Sequence, residues 1–107
     1  MNANRLVKLV MCVALSLVIA TPALAADTAR ALELINSLGC KGCHQLNGEG
    51  GTLGPAFDGM GKRMQEKAIR EQLVNPKAKN PNSMMPSFAN QPEKDLKVLV
   101  DYLKSLK

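Results

Sequence analysis

The stretch Cys40-Lys41-Gly42-Cys43-His44 decides how this chain folds, and the rest of the sequence reads outward from it. C-x-x-C-H is the pattern in which two thiols bond covalently to a porphyrin and the adjacent imidazole ligates its iron. Two intervening residues let one turn of backbone present both sulfurs to one edge of the macrocycle. The next residue then brings the imidazole from that same turn. Two other readings compete. A thiol–disulfide redox site belongs in a βαβ context, which this sequence does not display. A structural zinc needs four ligands, and beyond this pair the chain has a single histidine and one further cysteine, Cys12. Covalent attachment of a haem accounts for the motif best.

N-terminal to the motif, Arg5 and Lys8 form a short basic region and Leu9 to Ala20 is apolar except for Ser16. Pro22-Ala23-Leu24-Ala25 ends in an A-x-A pattern, so residues 1–25 read as a cleaved export signal. Twelve apolar residues fall short of the ~20 that span a bilayer as a helix. The alternative is an uncleaved anchor using Leu9 to Ala26. Cys12 precedes most of the apolar run and is discarded with the signal. Removing the first 25 of 107 residues leaves 82, a single domain over 26–107. That domain carries twelve Lys and Arg against nine Asp and Glu, a net +3. So mild a charge argues against nucleic acid, whose binding needs several clustered phosphate contacts. Its only aromatics are Phe57, Phe88 and Tyr102. So small a chain commonly needs a staple, and a haem would fill the centre that these side chains cannot.

C-terminal to the signal, Asp27 can cap a helix from Thr28 to about Leu38, with Ala31, Leu34, Ile35 and Leu38 at helical spacing. Gly39 ends it just before the first cysteine. Gln45 to Gly61 is glycine-rich and reads as a loop, without the phosphate-loop pattern. Within it, Gly54-Pro55-Ala56-Phe57 would bring a backbone carbonyl towards His44, whose second nitrogen needs an acceptor to fix its tautomer. Lys62 to Val74 reads as a second helix, with Met64, Ala68, Ile69 and Leu73 on one side and Asn75-Pro76 as its stop. Asn75 to Gln91 is a loop stiffened by Pro76, Pro81 and Pro86. Met84 and Met85 make poor filler there, and a thioether facing a haem iron explains them better. Pro92 opens a last helix in which Leu96, Leu99, Val100, Leu103 and Leu106 form an apolar stripe, with Lys94, Lys97, Asp101 and Lys104 opposite. Tyr102, off that stripe, would pack beside the first helix near Ala31. No stretch reads as a strand and no internal repeat is visible, so the expected class is all-α.

Taken together, CKGCH, GPAF, Met-Pro and the closing DYLKSLK helix resemble class I c-type cytochromes, notably the small bacterial cytochromes c551 and c6. The match covers essentially the whole chain after the signal. It implies a cytochrome c fold, three to four short helices around one covalently bound haem c, with the first and last helices crossing. It implies attachment through Cys40 and Cys43, His44 and Met85 as axial iron ligands, and the Pro55 carbonyl accepting from His44. Met85 is preferred to Met84 because the family's ligand immediately precedes a proline. Pro86 also restricts the residue before it to extended backbone, which gives Met85 the more fixed direction. The c′ type, with its haem motif near the C-terminus, does not fit. The cysteine count excludes a second haem, and a single histidine excludes bis-histidine ligation.

The function these readings imply is a periplasmic carrier rather than an enzyme. It moves one electron at a time between protein donors and acceptors, as a monomer with no stable membrane insertion after signal cleavage. Lys41, Lys62, Arg63, Lys77 and Lys79 are the cations expected to border a docking face. The rival is a haem peroxidase or gas-sensing domain with a displaceable methionine. That needs a distal acid/base residue, and no spare histidine or obvious carboxylate lies near the methionines.

Overall fold

The computed structural model describes residues 22–107. The basic and apolar parts of the expected signal, with Cys12, lie outside the described residues. The first helix, α1, runs Pro22–Ser37. It therefore begins a turn and a half before the expected Thr28, and Asp27 lies inside it rather than capping it. Ala23 to Ala26 are strong helix formers, and a proline is tolerated in a first turn. This extension is exposed on all sides, and burial begins at Ala31, Leu34 and Ile35. Gly39, in the left-handed region at φ 72°, ends the helical path as expected and leads into a 3-10 turn, Cys40–Gly42.

The segment expected to be all loop contains a small hairpin. Strand β1, Gln45–Leu46, pairs antiparallel with β2, Glu49–Gly50. Its two-residue turn is Asn47-Gly48, both at positive φ. Asn-Gly is a strong signal for such a turn, because both central residues must accept left-handed backbone. The sequence reading took these glycines for isolated turns.

The second expected helix, Lys62 to Val74, is two helices. α2 spans Met60–Arg63 and α3 spans Glu66–Val74, separated by extended backbone at Met64 and Gln65. The break has a physical cause in the last helix, α4, Glu93–Ser105. Lys104 Nζ donates to the carbonyls of Gly61 at 2.9 Å and Met64 at 3.0 Å, satisfying acceptors at the end of α2. Gly61 N–H donates to the Leu106 carbonyl at 2.7 Å, and any side chain at position 61 would overlap the Lys104 carbonyl. Lys104 is thus turned inward to a backbone partner, not lined up on a solvent face as its position in the stripe suggested.

Helix α4 packs against α1, α3 and α2, and most of the core meets on it. Leu96, Leu99, Val100 and Leu103 are buried as the stripe predicts, and Val98 is buried as well, because neighbours cover α4 on more than one side. Leu106 and Tyr102 are half-buried against this core. Four helices and one two-stranded hairpin make up the described chain, which is mostly helical as expected. Among the described residues no helix is long and apolar enough to cross a membrane.

The α1–α4 contact carries a forked ion pair. Arg30 Nε and Nη2 donate to the two Asp95 carboxylate oxygens at 3.1 and 2.8 Å, and Glu33 lies 3.0 Å from Nη1. The guanidinium holds the Asp95 carboxyl below its ordinary value. A carboxyl with a depressed folded value stabilises the fold above its unfolded value and loses that contribution as pH falls through the folded one. Asp95→Asn is therefore expected to lower the melting temperature at neutral pH. The gap to the parent should close as pH drops below about 4. Thermal unfolding by circular dichroism across that range checks this, and a gap indifferent to pH would assign the loss to packing instead.

Candidate functional site

Cys40 opens the 3-10 turn, and its carbonyl accepts from Cys43 N–H at 3.2 Å and His44 N–H at 3.0 Å. That local bonding wraps five residues into one turn, so both thiols and the imidazole come from the same piece of backbone. Cys40 is half-buried and Cys43 exposed. Burial pushes the Cys40 thiol above its ordinary value. A thiol–disulfide catalyst needs the reverse shift, since the thiolate is its nucleophile. No group of three or more His, Cys, Asp or Glu gathers to hold a metal ion among the described residues, which disposes of the zinc reading there.

His44 is fixed from three sides. Its Nδ1 lies 2.6 Å from the Pro55 carbonyl, so the Nδ1–H tautomer donates there and Nε2 keeps its lone pair. Phe57 stacks on the ring, centroids 4.7 Å apart and planes 18° from parallel. Gly54 passes directly beneath the imidazole, and a Cβ there would overlap ring atoms Cε1 and Nδ1. The Gly54–Phe57 segment is held in turn by Gly54 N–H to the Cys43 carbonyl at 2.7 Å and Phe57 N–H to the Gln45 carbonyl at 2.8 Å. The sequence reading anticipated the acceptor in GPAF. It missed the Phe57 stack, because a lone aromatic in a glycine-rich loop gives no sign of what it will face.

Met84 and Met85 part company. Met84 is 88% exposed, whereas Met85 is half-buried and packs on the core. The Met85 amide donates to Ser83 Oγ at 3.2 Å, and its sulfur lies 3.8 Å from Gln72 Nε2 on α3. The loop that carries it is tied to the end of α3 by Phe88 N–H to the Leu73 carbonyl at 2.8 Å and Ser87 Oγ to the Val74 carbonyl at 2.7 Å. Gln72 is a site residue that sequence reasoning passed over, since a glutamine in an amphipathic helix is unremarkable until its partner is known.

Cys40, Cys43, His44, Pro55 and Met85 all line one cavity of about 560 Å³. Its walls are otherwise Ile35, Phe57, Met60, Ile69, Leu73, Phe88, Leu99 and similar apolar groups, with Gln72, Asn80, Asn82 and Ser83 on one side. No Asp, Glu, Lys or Arg lines it.

The family model for cytochrome c matches residues 28–107, and the chain belongs to that family. It is also similar to cytochrome c oxidase subunit 2 of Alkalihalophilus pseudofirmus, 30% identical over 76 aligned residues. That match covers 64% of this chain and 22% of the relative, so the chain spans about a fifth of that protein's length. Membership implies haem-based electron transfer, a covalently bound haem c and redox partner proteins. The cavity suits such a group. It is apolar, it brings two thiols to one edge, and it is lined by an imidazole with one nitrogen committed and one free and by a thioether.

Position 54 offers a sharp test of this geometry. Gly54→Ala is expected to cost about 1–3 kcal/mol by overpacking against the imidazole. Gly42→Ala, whose Cβ would meet nothing within 4 Å, should stay within about 0.5 kcal/mol of the parent. Denaturant titration of both variants decides, and equal costs would mean that His44 is free to move away.

Proposed function

We propose that this chain is an exported carrier of single electrons, in which Cys40 and Cys43 attach one haem and His44 and Met85 are its two axial ligands. One observation carries the reading: a tautomer-fixed imidazole and a thioether from a distant loop line the same apolar cavity as the thiol pair. Bound haem iron supplies reversible one-electron chemistry, and a Met/His ligand pair raises its potential. The protein's own residues do the remaining work. Pro55 holds the proton on Nδ1 and so presents the Nε2 lone pair. Ile35, Phe57, Ile69, Leu73, Phe88 and Leu99 keep water from the cavity. Gln72 donates towards the Met85 sulfur.

The peroxidase or gas-sensing alternative needs an acid/base group beside a displaceable Met85. The polar groups on that wall are amides and a hydroxyl, which do not titrate in the working range. The cavity mouth instead suits docking of a redox partner. Leu53 is 79% and Met84 88% exposed at its edge, beside exposed Pro55 and Pro86. Residues 1–25 serve as the export signal, and residues 26–107 work in the periplasm as a monomer. A retained N-terminal anchor is the competing arrangement.

Two tests follow from this reading. The purified protein should have the mass of residues 26–107 plus one haem. A haem-free mass would sink the carrier, and a mass that includes residues 1–25 would favour the anchor. On the loaded protein, Met85→Ala should abolish the sulfur-to-iron charge-transfer band, lower the potential and admit carbon monoxide. Met84→Ala should keep the band and change stability by no more than about 0.5 kcal/mol, as its exposure implies. The opposite pattern would make Met84 the ligand.

Docking gives a further expectation. Leu53→Asp should slow electron exchange with a partner about tenfold, equivalent to ~1.4 kcal/mol. The parent rate should change little between low and moderate salt, because no charged residue lines the cavity itself. A steep fall with salt and an indifferent Leu53→Asp would restore the lysines as the docking determinant.

A further inference from the structure

Arg63 has the look of a solvated surface cation, and by sequence it belongs with the docking charges. Its guanidinium is engaged elsewhere. Nη2 donates to the Ala56 carbonyl at 2.5 Å and Nη1 to the Asp58 carbonyl at 2.6 Å. These two acceptors flank Phe57, which stacks on His44, and Ala56 directly follows Pro55, whose carbonyl accepts the His44 hydrogen bond. The Asp58 carboxylate takes the Asn47 amide instead, at 3.0 and 3.2 Å, and Arg63 forms no salt bridge among the described residues. What Arg63 contributes is therefore its fork of donors. Resting on the assignment of His44 as iron ligand, we infer that Arg63 is a positioning residue for that ligand, acting through the backbone of residues 55–58.

The mechanical path is continuous. Arg63 closes α2, which is fixed to α4 by Lys104 Nζ on the Gly61 and Met64 carbonyls and by Gly61 N–H on the Leu106 carbonyl. A guanidinium projecting from that anchored helix meets two carbonyls two residues apart with a rigid planar group. Lysine cannot copy this, because its ammonium is one point charge on a flexible stem. Gly59 leaves the space for it, since a Cβ there would stand 3.2 Å from Nη1. Release of the fork frees the 55–58 backbone to shift, and the Pro55 carbonyl moves with it. The Nδ1–H bond then opens more often, and the plane of the imidazole is less well defined.

The measurement is solvent exchange of the His44 Nδ1 proton, followed by nuclear magnetic resonance in the haem-loaded, reduced protein. Arg63→Ala and Arg63→Lys are both expected to speed exchange about tenfold or more, because both lose the paired donors. Lys62→Ala, which removes an equal charge one residue away, is expected to leave it unchanged. Where Arg63→Ala does not load haem, Arg63→Lys carries the comparison alone. Unchanged exchange in the Arg63 variants would overturn the proposal. So would rescue by lysine together with acceleration in Lys62→Ala, which would assign the effect to charge. Failure of the underlying ligand reading would look different: the parent protein itself would lack a His44 signal displaced by the porphyrin ring current.

Discussion

The hydrogen bond from His44 Nδ1 to the Pro55 carbonyl decides which ring nitrogen faces the cavity, and most of the chain between Cys40 and Arg63 is arranged to make it. One such bond is worth about 0.5–1.5 kcal/mol net, too little to order a loop that costs roughly 1–2 kcal/mol per residue in backbone entropy. Its persistence comes from the surroundings. The 3-10 turn sets where the imidazole starts, the hairpin at Gln45–Gly50 returns the chain, and Gly54 lets the backbone pass against the ring. Phe57 then covers one face of the imidazole. Each contact is modest, and together they leave the ring a single position.

The same economy governs the core. Ile35, Ile69, Leu73, Leu99 and Leu103 belong both to the buried cluster and to the cavity wall. Their inward faces need an apolar partner, which in a domain of this size the polypeptide is poorly able to supply from its own side chains. A porphyrin seated there is consequently as much a core element as a reaction centre. Folding and cofactor binding are thus coupled, since a group that binds the native state alone stabilises it. Helix α4 is the element that registers this most, because it meets α1, α2 and α3 and also lends Leu99 and Leu103 to the cavity.

How much of this was legible in the sequence differs from segment to segment, for identifiable reasons. The α4 stripe and the buried face of α1 were plain, because helical periodicity reports burial directly and these helices have long apolar runs. The thiol pair and imidazole were legible because their chemistry demands contiguous residues. Met85 and Pro55 were assigned through family resemblance, and proximity alone could not have been read from a pair of loops far apart in sequence. The split between α2 and α3 was illegible. It depends on Lys104, forty residues away, supplying donors to carbonyls that a continuous helix would have satisfied itself. The hairpin was legible and overlooked, with Asn47-Gly48 carrying the signal among glycines that diluted it. The start of α1 was misjudged because Asp27 makes a good cap only if the chain before it is not helical, and Ala23–Ala26 favour helix.

Counting cations misleads about the surface for a related physical reason. Of the charges that a linear reading places around the site, Arg63 is committed to carbonyls and Lys41 lies 3.5 Å from Glu49. Lys104, on the far side of the last helix by periodicity, is committed to α2. Buried or half-buried carbonyls at the ends of short helices and in tight loops need donors, and a long cationic side chain is the cheapest way to reach them across an element boundary. Short helices have proportionally more such ends. A small domain built from a four-residue helix, a 3-10 turn and a two-residue hairpin therefore commits some of its cations internally, while Lys62, Lys77 and Lys79 stay exposed. Leu53, Met84, Pro55 and Pro86 are exposed at the cavity beside exposed Asn80 and Asn82, and Lys77 lines the adjoining groove with Met84 and Pro86. The edge of the cavity is thus an apolar rim with amide and cationic neighbours, and a count of cations taken from the sequence describes neither part of it.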